Sequence, residues 1–62
     1  MNRNYDLFEM LPDGSPLWKG SVSGYDDAIR TLHELSKRTA NEVHLMYLPT
    51  KTIIATLNRP KL

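Results

Sequence analysis

SGYDDAIRTLHELSKR, residues 23–38, holds the change of period on which the rest of the chain turns. Placed at about 100° per residue, Tyr25, Ala28, Ile29, Leu32 and Leu35 fall within an arc of roughly 120°, the apolar stripe of an amphipathic helix. Asp26 and Asp27 lie in its first turn and Lys37 and Arg38 in its last, so both ends complement the helix dipole. Asp26 with Arg30, and Glu34 with Arg38, are i,i+4 pairs along the wet face, each contributing a few tenths of a kcal/mol. Ser23, three residues before Asp26, resembles a capping box, and Gly24 is an equal candidate for the cap. The spacing predicts a helix ending near Thr39 to Asn41.

Upstream, Tyr5 to Leu11 is rich in aromatic and branched residues and runs into Pro12-Asp13-Gly14, which suits a type I turn closed by a left-handed glycine. Leu17 to Ser23 follows as a second strand, with Gly20 marking a bulge or a close backbone approach. Downstream come a strand at Glu42 to Leu48, a turn at Pro49-Thr50-Lys51 and a strand at Thr52 to Asn58 dense in β-branched residues. Residues 1–4 and 59–62 are expected to fray. The order is ββαββ, and the predicted class is α+β: residues 1–62 form a single small domain, a four-stranded sheet of two hairpins with one helix packed on one face. A helix of about 14 residues spans roughly 21 Å and a seven-residue strand roughly 23 Å, so one helix covers the length of the sheet.

The composition bounds what such a domain does. The chain has 62 residues, 40% hydrophobic and 24% charged, with no cysteine and a formal net charge of +1. A chain this short buries only about 60% of its unfolded surface, and its single core supplies a few kcal/mol. Without cysteine, disulfides and Cys-based zinc sites contribute nothing, so tight local structure or self-association must add the rest. The hydrophobic fraction is too high for a disordered tail, and no apolar run approaches the roughly 18 residues that cross a bilayer. MNRNYDLFEM has no apolar h-region, so a cytoplasmic location is the default expectation.

Register assigns the faces. With a three-residue first turn, Leu11 opposes Ser15, and Phe8, Met10, Trp18, Gly20 and Val22 share a face that reads as core. A two-residue Asp-Gly turn would group Tyr5, Leu7, Leu11, Trp18 and Val22 with Glu9, burying a carboxylate. In the second hairpin a three-residue turn puts Val43, Leu45, Tyr47, Ile53, Ala55 and Leu57 toward the helix. The opposite face then carries Leu7, Leu11, Leu17, Met46, Leu48 and Ile54, interspersed with Glu9, Lys19, Ser21, His44, Thr52 and Thr56. A solvated sheet face is not usually so apolar. Leu7, Leu17, Met46, Leu48 and Ile54 are therefore the expected anchors of an interface, with Glu9, Lys19 and His44 as polar modifiers. Strong twist or a slipped register would instead tuck some of these side chains into the monomer.

No residue pattern assigns an activity. His33 at the edge of the helix's polar face and His44 on the far side of the sheet do not converge with a carboxylate, as a metal site or acid/base pair requires. Neither Ser21 nor Ser23 sits in a nucleophile elbow, and Gly14, Gly20 and Gly24 lack both nucleotide-binding spacings. A non-catalytic chain without cofactor, metal or small-molecule ligand is the expectation. A four-stranded sheet with aromatics can stack single-stranded bases, but eight basic residues balance seven acidic ones and form no stripe. The expected partner is a second copy of the chain or an unidentified protein, with weak single-strand binding as the alternative.

In arrangement, the run YDLFEMLPDGSPLWKGSVSGYDDAIRTLHELSKRTANEVHLMYL resembles short bacterial proteins of no assigned activity built as hairpin, helix, hairpin. A tryptophan in the second strand, a small-residue helix entry followed by acidic residues and Ala28, and an apolar third strand carry the likeness. It implies the fold and no function. Gly24-Tyr25-Asp26-Asp27-Ala28 is also similar to the strand-to-helix entry of small HicB-type antitoxin domains, but this chain lacks their third strand before the helix and has no room for a separate DNA-binding domain.

Overall fold

In the computed structural model, which describes residues 4–59, the elements are β1 (Tyr5–Met10), β2 (Pro16–Val22), α1 (Tyr25–Arg38), β3 (Val43–Tyr47) and β4 (Thr52–Leu57). The ββαββ order and the α+β class are those expected. All four strands are antiparallel in one open sheet of order β2-β1-β3-β4. The two hairpins are thus joined through their first strands, β1 against β3, and the chain's helix crosses back over that junction. Of the ends expected to fray, residues 1–3 and 60–62 lie outside the described residues. Asn4 is tied down: its carbonyl accepts from Leu48 N at 2.8 Å and its amide donates to Ser23 O at 3.0 Å.

Helix α1 begins on Gly24, whose extended backbone (φ −108°, ψ 147°) makes it the N-cap without a side-chain cap bond; Ala28 N donates to Gly24 O at 2.8 Å. The capping-box reading of Ser23 is therefore not the one adopted. Along the wet face Arg30 pairs with Asp27, at i,i+3, and not with Asp26. At the other end Thr39 turns the chain out in an extended conformation, and Asn58 closes the orphaned carbonyls. Its side-chain amide donates to Ser36 O (2.8 Å), Thr39 O (2.9 Å) and Asn41 O (3.3 Å), so a residue beyond β4 does the work usually done by a local C-cap.

The first turn is the three-residue turn expected. Leu11 N donates to Ser15 O at 2.9 Å and Gly14 N to Leu11 O at 2.8 Å, and Gly14 takes φ +91°, the left-handed region that costs a glycine nothing. Asp13 Oδ1 accepts from Ser15 N (2.9 Å) and Ser15 Oγ (2.6 Å). Near this turn the pairs are Met10↔Pro16, Glu9↔Leu17 and Phe8↔Trp18, but further on Leu7 faces Gly20 and Tyr5 faces Val22. The extra residue is Lys19, a bulge beside Gly20, whose φ is +154°. β4 carries a second bulge: Leu45 faces Ala55 while Met46 faces Ile53, leaving Ile54 as the extra residue.

These bulges correct the faces. Phe8, Met10 and Trp18 do share a side, as expected, but it is the side away from the helix. The core is Leu7, Val43 and Leu45 against Ala28 and Leu32, with Tyr5, Val22, Ile29, Leu35, Ala55 and Leu57 packed around it. Pairing with β3 decides the matter, since Leu7 lies opposite Leu45 and Glu9 opposite Val43. Directly paired residues project to the same side, so Leu7 must follow Leu45 to the helix. Past its bulge β2 does the same, with Gly20 and Val22 facing Leu7 and Tyr5. In the second hairpin the bulge carries Ile53 to the open side with Met46 and turns Thr52 toward the helix side with Tyr47, the reverse of the expectation for both.

Candidate functional site

The face opposite the helix is built from alternate residues of all four strands. Ladder partners place Asp6, Phe8 and Met10 of β1 beside Pro16, Trp18 and Ser21 of β2, and beside His44 and Met46 of β3; Ile53 and Thr56 of β4 complete it. Its centre is a shallow apolar depression lined by Phe8, Met10, Pro16, His44, Met46 and Ile53. Trp18 stands at its rim 54% exposed and Ile53 42% exposed, which is far more than residues of these types show in a monomer's core. Within the strands, Asp6 supplies the one formal charge of this face, and it is only 8% exposed. Its Oδ1 is covered without a hydrogen-bond partner among the described residues. His44 Nε2 is similarly covered, 3.4 Å from Glu42 Oε2.

The expected interface residues divide. Met46 and His44 lie on this face, and Ile54, 43% exposed, borders it at the β4 edge beside His44, Ile53, Thr56 and Arg59. Leu48 follows β3 half-buried, its N–H held by Asn4. Leu7 does not belong to the interface: at 2% exposure it is a centre of the core. Leu17 opposes Glu9 on the helix side and lies beyond the helix's cover. Glu9 and Lys19 also project to the helix side, where Lys19 Nζ lies 3.6 Å from Glu9 Oε1. The residues that reading missed are Phe8, Met10, Trp18 and Ile53. The common parity of Phe8, Met10 and Trp18 across the first turn was the available signal, assigned to the wrong layer; Ile53 reaches this face through the β4 bulge, which no local pattern marks.

Glu9 is the buried carboxylate whose cost argued against this arrangement. Thr39 Oγ1 donates to its Oε2 at 2.7 Å and Asn41 Nδ2 at 2.8 Å, while Asn41 N in turn donates to Thr39 Oγ1 at 3.1 Å. The hydroxyl of Thr39 foremost, then the Asn41 amide, holds the Glu9 carboxyl below its ordinary value of 4.5, with Lys19 adding attraction. A buried carboxylate with this many donors is a structural strut. It ties the end of α1 to β1, and with Asn58 donating to the backbone carbonyls of the same two residues it anchors the loop between α1 and β3.

The two histidines end on opposite sides of the sheet, His33 exposed on α1 and His44 on the open face. Among the described residues, no three His, Asp or Glu side chains converge as metal ligands, and no helix is long and apolar enough to cross a membrane. Fold and site together define a small α+β sheet protein with one helix-covered face and one uncovered apolar face. Compared with protein-family models, curated proteins and solved structures, the chain matches none.

Proposed function

We propose that this chain is a non-catalytic protein-interaction module whose docking surface is the open sheet face. The observation that carries the reading is the contiguous apolar patch of Phe8, Met10, Trp18, Met46 and Ile53, uncharged at its centre, on a sheet that has a helix on one side only. A sheet buries its apolar face against a second layer, and an exposed apolar patch with a polar surround is the mark of a protein-binding surface. The edges are ill suited to strand addition. Both outer strands carry a bulge, and β2 opens with Pro16, devices that disrupt an unpaired ladder.

Trp18 and Phe8, opposite one another and outward-facing, also favour a second reading, base stacking on single strands. No Lys or Arg within the four strands shares their face to neutralise phosphate; Arg59 stands at its margin. Trp18 is the only tryptophan, so its emission reports on the face directly. At nanomolar concentration the chain is expected to enhance the fluorescence of anilinonaphthalene sulfonate, and Trp18→Ser with Met46→Lys to remove that enhancement while the helical circular dichroism is kept. An oligothymidine titration at low salt should leave Trp18 emission unchanged. Absence of dye enhancement overturns the docking surface, and quenching by the oligonucleotide with a steep salt dependence replaces it with the second reading.

A further inference from the structure

We infer that the open face takes a protein segment carrying one lysine or arginine among apolar residues, its cation seated on Asp6, an inference that rests on the docking reading above. Asp6 is what selects that occupant. Directly paired with Ser21 and Met46, it stands on the open face and is only 8% exposed. Its Oδ1 has neither contact with water nor a hydrogen-bond donor among the described residues. A carboxylate accepts and cannot donate, so this oxygen has lost hydration without regaining a hydrogen bond, which destabilises the free chain. Glu9, the other buried carboxylate, shows the contrasting case of a structural acid: Thr39, Asn41 and Lys19 meet it. For Asp6 the four strands supply no cation, since none of their Lys or Arg residues lies on its face. The missing donor has to arrive with whatever covers the face.

The surroundings of Asp6 suit a cation on an alkyl stem. Phe8, two residues along β1 and on the same side, lies roughly 7 Å away, and Trp18 stands opposite Phe8, 54% exposed. A carboxylate beside two aromatic rings, one of them tryptophan, binds a lysine or arginine head by charge and by the ring faces together. The methylenes of the stem lie along the rings. Beyond them the uncharged depression around Phe8, Met46 and Ile53 receives the segment's apolar side chains. From Asp6 to Met10, β1 runs about 14 Å, the reach of about five residues of extended chain or two to three turns of helix. A contact of that length is smaller than a standard protein interface, so the complex is weak and reversible.

The test follows Trp18 emission while the full chain is titrated with three acetylated, amidated heptapeptides of serine, alanine and leucine whose central residue is lysine, norleucine or glutamate. The lysine peptide is expected to bind about tenfold more tightly than the norleucine peptide, the value of one charge-assisted hydrogen bond, and the glutamate peptide to bind most weakly. Asp6→Asn should remove lysine's advantage and leave the affinity for the norleucine peptide unchanged. A second measurement needs no peptide. Because Asp6→Asn takes away a buried charge without a partner, the urea midpoint of the free chain should hold or rise; a fall makes Asp6 a structural group and overturns the inference. Equal binding of the three peptides, binding of none, or a lysine preference that survives Asp6→Asn overturns it as well. If the dye still binds in that case, the docking surface stands for a partner without a cation, and if neither dye nor peptide binds, both readings fall.

Discussion

Leu7 and Phe8 are neighbours in one strand and live in different worlds. Leu7 is 2% exposed between Leu45 and the helix residues Ala28 and Leu32, whereas Phe8 looks the other way, between Trp18 and His44 on the uncovered face. The two faces are similar in apolar content, and they differ in how their polar residues are treated. On the helix side, Glu9 is met by two neutral donors and a lysine. On the open side, Asp6 keeps an oxygen without a partner among the described residues. Polar satisfaction marks the helix-covered face as a finished core.

The sharpest way to break the contrast is to truncate each side in turn, at protein concentrations where the chain is monomeric. Leu45→Ala or Leu7→Ala removes a fully buried side chain and is expected to cost about 2–5 kcal/mol, enough to unfold a domain this small, as urea titration will show. Removing the clamp at Asn58 comes next: Asn58→Ala takes the amide from the carbonyls of Ser36, Thr39 and Asn41 and is expected to cost about 1 kcal/mol. Asn58 has φ +60°, so Asn58→Gly, which relieves that conformation, separates the amide's contribution from the backbone's; equal losses assign the effect to the amide.

Glu9 sharpens the contrast through pH. Its folded-state pKa lies below the ordinary 4.5 because Thr39 and Asn41 hydrogen-bond the ionised form. Its stabilising contribution is therefore complete above about pH 4.5 and is lost as pH falls through the lowered folded value. The urea midpoint of the native chain should drop across that window, and Glu9→Gln should flatten the drop; an unchanged acid limb in the variant would assign it elsewhere, with Asp13, similarly lowered by the Ser15 hydroxyl and N–H, the next group to replace. The smallest effect is expected on the open face itself. Trp18→Ser should move monomer stability by no more than about 0.5 kcal/mol, the usual range for a surface change, while abolishing dye binding; a loss of several kcal/mol would make Trp18 a core residue.

Much of this fold was legible from neighbouring residues. The helix stripe, the dipole-complementing charges and the Pro12-Asp13-Gly14 turn are local signals, and each stands where the spacing put it. The inner register of the second hairpin, Val43↔Leu57 and Leu45↔Ala55, follows from its β-branched alternation. The candidate site was half legible: Phe8, Met10 and Trp18 were grouped correctly and given to the wrong side. Two strand faces offer equally apolar sets, and a period of two has no preference between them.

What the sequence by itself determined is therefore the element order, the start of α1 and the first turn, all set by interactions within a few residues; the helix stops at Arg38, short of the expected Thr39 to Asn41. Tertiary structure alone decided which face of β1 is core. β1 pairs with β3 as well as β2, so Leu7 must follow Leu45 toward the helix. Burial of Glu9 is offset by Thr39 and Asn41, 30 and 32 residues away. The bulges at Lys19 and Ile54 then let the outer strands serve both faces. The physical reason is that a side chain's local preference states how much apolar surface it brings, while the layer that receives it is set by partners distant in the chain.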